Sequence, residues 1–121
     1  MTWIRAAHRD ELWPDVAHVV TLPRDAKTGR PREALLVLDQ YGAVRAYLNI
    51  CQHIPIPLDG GSREFFDASG AHLRCGTHGA LYRREDGFCV VGPCAGESLL
   101  ALPIRTDDAG FVEVEDLAID L

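Results

Sequence analysis

Turn-forming segments recur along this chain at short intervals: DQYG at residues 39–42, REDG at 84–87 and TDDAG at 106–110. Aspartate bonds its own backbone in such segments and glycine supplies positive φ. Each is flanked by short apolar or β-branched runs, the pattern of a hairpin. The spacing predicts strands over 3–7 and 16–22, and hairpin arms over 34–38 with 44–49, 81–83 with 88–91, and 101–105 with 111–114. "REFFDASGAHLRC" (63–75) reads as one more hairpin, turning at Ala68-Ser69-Gly70 and ending on Cys75. "PRDAKTGRP" (23–31) is a polar loop. Single helical turns fit only "RDEL" near the N-terminus or residues 96–99. The expected fold class is all-β, an antiparallel sandwich or barrel.

At 121 residues the chain fills one domain, 1–121. Its 47 % hydrophobic and 25 % charged content is that of a folded protein. The formal charge of −6 argues against nucleic acid or an anionic membrane as partner and favours a basic protein surface. No apolar run approaches the ~20 residues of a membrane span or the h-region of a signal peptide. The expectation is a soluble, cytoplasmic protein. In a reducing cytosol the four cysteines serve metal or redox chemistry more readily than structural disulfides.

Two loops concentrate the chemistry. "CQHIPIPLDGG" starts at Cys51 and "CGTHGALY" at Cys75, each offering a cysteine, a histidine and following glycine. Cys51, His53, Cys75 and His78 are the candidate ligands. Thiolate and imidazole suit zinc, copper or iron–sulfur, not magnesium or calcium. Finger-type zinc sites usually draw like ligands from each loop, so one of each per loop is unusual for them. The order fits a two-iron cluster with both cysteines on one iron and both histidines on the other. Zinc in the same pocket, or two buried cysteines with unrelated loop histidines, are the competing readings.

C-x-H, then C-x2-H with glycine after the last histidine and an aromatic, Tyr82, four residues beyond it, resembles the Rieske [2Fe–2S] domain. "VVGPCAGESLLALPI" is similar to the proline loop of that family, and the resemblance spans residues 47–105. It implies one [2Fe–2S] cluster, Cys51 and Cys75 on the inner iron, His53 and His78 on an exposed outer iron, and a cluster-binding subdomain of two loops (about 49–99) inserted in a β base. With two departures from the respiratory members, the chain resembles the soluble ferredoxin-type ones. Ile54 or Pro55 and Thr77 stand where respiratory Rieske proteins carry a disulfide. Ala80 stands where they carry a serine that donates to cluster sulfur, which implies a lower potential. Tyr82 is placed to donate to a cysteine sulfur.

Outside that set, Cys89 reads as core. Cys94 reads as a semi-buried residue of the proline loop, close to the cluster. His8, His18 and His72 read as surface or strand residues. The run Ile54 to Leu58 reads as loop packing or as a dry collar where a redox partner docks. Three function classes compete. A one-electron carrier between a reductase and an oxygenase or other terminal enzyme is favoured. A catalytic oxygenase would need a second iron site, and three scattered histidines do not make one. A zinc-binding structural module, or a regulatory Rieske-like subunit of a larger oxidoreductase, is the alternative.

Overall fold

The structure, a computed structural model, describes residues 2–51, 56–60, 63–76 and 79–117. Its strands are β1 (Thr2–His8), β2 (His18–Leu22), β3 (Arg32–Leu38), β4 (Val44–Leu48), β5 (His72–Arg74), β6 (Leu81–Arg83), β7 (Cys89–Val91), β8 (Ile104–Thr106) and β9 (Phe111–Asp116). They form three antiparallel sheets ordered β1-β9-β8, β2-β3-β4 and β5-β6-β7. The all-β antiparallel expectation holds.

β3 explains the layering. Its "REALLVL" is apolar nearly throughout because both of its faces are covered. Ala34 and Leu36 point into a core shared with Val112 and Val114 of β9 and Leu102. Leu35 and Val37, on the opposite face, join a second core with Leu73, Tyr82 and both loop cysteines. The period of two along one strand therefore sends alternate residues to two cores. The second core is the one that reaches the candidate site. The β5-β6-β7 sheet is built wholly from residues between Asn49 and Leu99.

The local turns carry the chemistry their sequences announce. Asp39 Oδ1 accepts from the amides of Tyr41 (2.8 Å) and Ala43 (2.9 Å), closing DQYG. Burial alone would raise the Asp39 pKa; those amides and Arg45 instead hold it below the usual carboxylate range. Asp107 Oδ1 accepts from Ala109 and Phe111 in the same way. "RDEL" contains a 3₁₀ turn, Arg9–Glu11, with His8 and Glu11 capping each other's backbone.

Of the two segments that fit a helical turn the structure uses RDEL, while in 96–99 Ser98 bridges Phe88. Two expectations need correction. The arm expected over 101–105 divides at Pro103. Leu102 N–H donates to Ala46 (2.9 Å) and the Leu100 carbonyl accepts from Leu48 (2.8 Å), so 100–102 lie along β4. From Ile104 onward the chain pairs with β9. Proline lacks the amide needed to continue one ladder, and the chain changes sheets there. The strand expected from Val16 starts at His18, because Val16 closes a tight turn by bridging Trp13.

One buried ion pair fastens the first two sheets. Arg32 at the start of β3 makes a two-pronged bond to Asp116 at the end of β9, at 2.9 and 2.8 Å, and its Nε donates to the Pro23 carbonyl at 2.8 Å. Both side chains are buried. Removing one partner leaves an uncompensated charge in the interior. Asp116→Ala is expected to lower unfolding free energy by about 3–5 kcal/mol, read by chemical denaturation.

Candidate metal centre

The two cysteine loops are closed by the same bond. Cys51 N–H donates to the Ile56 carbonyl (2.7 Å) and Cys75 N–H to the Ala80 carbonyl (2.8 Å), each reaching five positions along the chain. Gly79 N–H returns to the Cys75 carbonyl at 2.8 Å. A third bond joins the loops to each other: Gly76 N–H to the Leu58 carbonyl, 2.7 Å. Asn49 then ties the first loop to the β base. Its amide group accepts from Leu58 N–H (2.9 Å) and donates to Glu33 (3.1 Å), while its backbone N–H donates to the Glu33 carbonyl.

The thiols of Cys51 and Cys75 are buried, 2 % and 0 % exposed, among Leu58, Phe65, Leu73, Ala80 and Tyr82. Neither is in a disulfide. His53 and His78 lie outside the described residues, as do Ile54, Pro55 and Thr77. Of the expected apolar collar, Leu58 is core, Ile56 is half-buried against it and Pro57 is exposed. Leu58 therefore belongs to the packing, not to a docking rim.

The G-P segment covers the second loop at contact distance. A β-carbon on Gly92 would lie 2.7 Å from the Ala80 Cα and 3.1 Å from its Cβ, and Gly92 has φ +104°. Only a residue without a side chain fits. The loop from Cys89 to Glu97 folds back on its own start, with Gly96 N–H on the Cys89 carbonyl (3.0 Å) and Cys89 N–H on the Glu97 carbonyl (2.7 Å). This closure buries Cys94, which is 4 % exposed, not half-buried as its loop position suggested. It sets the Cys94 sulfur 3.4 Å from that of Cys89. Tyr82 Oη lies 2.9 Å from the Cys94 sulfur and 3.6 Å from that of Cys51. Burial, followed by the Cys94 thiol beside it, pushes the Cys89 pKa up to about 11. The expectation for Cys89 as core holds. Its contact with Cys94 had no signal in the sequence beyond two small residues five apart across a Gly-Pro turn.

Two dry thiols on loops of matched closure, joined backbone to backbone and capped by a Gly-Pro loop, define a site for a group held between two arms of a β-protein. The sequence matches the Rieske [2Fe-2S] domain family over residues 2–107, and the chain belongs to that family. Its cofactor is one [2Fe–2S] cluster, which buried thiolate donors suit. The fold is similar to the ferredoxin of carbazole 1,9a-dioxygenase from Nocardioides aromaticivorans IC177, at 25 % identity and TM-score 0.65, over 94 % of this chain and 97 % of that one. It is also similar to the terminal oxygenase of the same system from that organism, at 26 % identity and TM-score 0.69, covering 93 % of this chain and 29 % of that one. A carbazole-bound oxygenase–ferredoxin complex matches in fold at 18 % identity and TM-score 0.69, covering 93 % of this chain. The chain spans only 27 % and 29 % of the chains matched in the complex and the terminal oxygenase. No curated protein sequence matches it significantly. No helix among the described residues is long and apolar enough to cross a membrane.

The contact at Gly92 can be tested against a control. Gly96 also has positive φ, +95°, but nothing within 4 Å of its missing side chain. Both Gly→Ala changes incur backbone strain of roughly 1–3 kcal/mol; only Gly92→Ala also pushes on Ala80. Gly92→Ala is expected to lose visible absorbance faster than Gly96→Ala under mild denaturant, with equal loss pointing to strain alone.

Proposed function

We propose that this chain is a soluble, cytoplasmic one-electron carrier, the ferredoxin component of an oxygenase system, and not itself a catalytic enzyme. The observation that carries the reading is the match along 97 % of a dioxygenase ferredoxin. Residues 49–99 are the cluster-binding subdomain, inserted in a β base within a single domain, 1–121. Cys51 and Cys75 hold one iron, and His53 and His78 hold the other.

When bound, the cluster accepts and gives up one electron at a time. The polypeptide holds its ligands still and keeps water from the sulfurs. The paired loop closures, the Gly76–Leu58 bond and the Asn49 anchor serve the first need. Leu58, Phe65, Leu73 and Tyr82, all buried, serve the second. Fixed backbone dipoles around a site need little rearrangement when its charge changes, the condition for fast transfer. The partners are a reductase and a terminal acceptor such as an oxygenase, with no role for nucleic acid or membrane. The net charge of −6 favours a basic docking face on at least one of them.

The alternative is a regulatory Rieske-like subunit of a larger oxidoreductase, which the similarity to part of a longer terminal oxygenase chain keeps in view. Stopped-flow mixing separates the two. The reduced protein, free of other chains, is expected to be reoxidised by a substrate-loaded terminal oxygenase and re-reduced by its reductase over many cycles. Transfer seen only inside a permanent complex supports the subunit instead.

The ligand set has its own test. His53→Cys or His78→Cys is expected to change or abolish the visible and paramagnetic-resonance spectra of the cluster. Cys89→Ser is expected to leave both intact. Loss of the cluster in a folded Cys89→Ser protein would show that the ligands are wrongly assigned.

A further inference from the structure

Electron carriage by the four proposed ligands leaves Cys89 and Cys94 unused, yet both thiols are buried beside the site and neither is in a disulfide. Their hydrogen bonds have a direction. The Cys89 thiol donates to the Val91 carbonyl at 3.2 Å, a group that can only accept. The Cys94 thiol donates to the Cys89 sulfur at 3.4 Å. A thiol has a single proton, so Cys94 meets the Tyr82 hydroxyl, 2.9 Å away, as acceptor. The three protons run in series from Tyr82 to Cys94, to Cys89, to the Val91 carbonyl. Such chains strengthen each member.

Tyr82 also has one proton, and the Cys51 sulfur lies farther from its oxygen, at 3.6 Å. We propose that Cys94 is a positioning residue that turns the Tyr82 hydroxyl proton away from the Cys51 sulfur, holding the cluster at a lower potential than Tyr82 would otherwise set. The inference rests on Cys51 being a cluster ligand. A donor to a ligand sulfur stabilises the more negative, reduced state, so removing that donor favours the oxidised state. Charge on a metal-bound Cys51 pulls the proton the other way. Distance opposes it, and so does the cost of the reversed chain. If Cys94 donated to Tyr82, either Cys89 would have to give up its bond to the Val91 carbonyl to reach Cys94, or the two sulfurs would face each other at 3.4 Å with no proton between them.

The test is a mutant cycle on the cluster-loaded protein, with midpoint potentials by protein-film voltammetry at pH 7 and spectra recorded alongside. Cys94→Ala and the near-isosteric Cys94→Val are expected to raise the potential. The rise should reach up to a tenfold change in the ratio of reduced to oxidised protein at fixed poise, about 59 mV for one electron. Tyr82→Phe alone is expected to change it little, and in the Cys94→Ala background to cancel the rise. Cys94→Ser, which keeps an acceptor, is expected to stay near the wild-type value. A potential that is unmoved or lowered in Cys94→Ala overturns the proposal. So does a clear fall in potential in Tyr82→Phe alone, a measurement that needs no Cys94 variant and remains decisive if those variants fail to assemble. Failure of the ligand assignment looks different: the wild-type spectra themselves would not be those of a cluster with mixed cysteine and histidine ligands.

Discussion

The hydrogen bond from Gly76 N–H to the Leu58 carbonyl is the constraint on which the site depends. It is a direct backbone link between two loops that are far apart in sequence. A β-carbon at Gly76 would sit in ordinary contact with the Leu58 and Asp59 carbonyl oxygens, at 3.5 and 3.7 Å, so the hydrogen bond itself, and not the missing side chain, sets the approach of the loops. Leu58 cannot move independently, because its side chain is fully buried and its N–H is held by Asn49. Asn49 in turn is fixed on Glu33, so the chain of restraint passes from the second loop through the first and into β3. Any shift of one cysteine relative to the other therefore disturbs the central strand.

Arg84 secures the same unit from behind. Its guanidinium donates to the carbonyls of Pro14 (2.9 Å), Leu38 (3.2 Å) and Gly70, pairs with Asp15 and lies 4.6 Å over the Phe66 ring. Its own carbonyl accepts from the buried Tyr47 hydroxyl at 2.6 Å. One side chain thus joins the N-terminal loop, the end of β3 and the 63–75 hairpin. Guanidinium is suited to this, since its planar donors point in several fixed directions at once. The ion pair of Arg32 with Asp116 fastens the β base, and Arg84 fastens the β5-β6-β7 sheet upon it.

How much of this was legible depended on whether the signal was local. DQYG, REDG and TDDAG announced their hairpins because Asp39, Asp86 and Asp107 bond amides two to four residues away. Cys51 and Cys75 were legible as ligand candidates because the chemistry of a metal site shows in residue type and spacing. What stayed hidden was long-range. Pro103 marks a change of sheet, but which sheet receives each half depends on partners Ala46 and Val114 more than ten residues away. The 63–75 segment does fold back as expected, although its first arm contributes only the single bridge of Phe66 to Leu73. The contact of Cys94 with Cys89 and Tyr82 needed the closure of a whole loop, which no local pattern encodes.

That hidden contact follows from a requirement of the core. Tyr82 is fully buried, and a buried phenol needs a hydrogen-bond partner near its oxygen. In a dry pocket beside the Cys51 and Cys75 thiols, a charged or amide partner would bring desolvation cost and a strong dipole next to the site. A thiol is small, weakly polar and packs as a hydrophobe, yet still accepts and donates. Two of them in series accept from the phenol and pass the donation on, each with its own proton, to a backbone carbonyl, where the chain ends. The cysteines thereby meet the packing requirement of the core and the bonding requirement of the tyrosine together. Because the Cys51 sulfur lies near the same hydroxyl, meeting that requirement also decides how far the hydroxyl's proton is turned toward that sulfur.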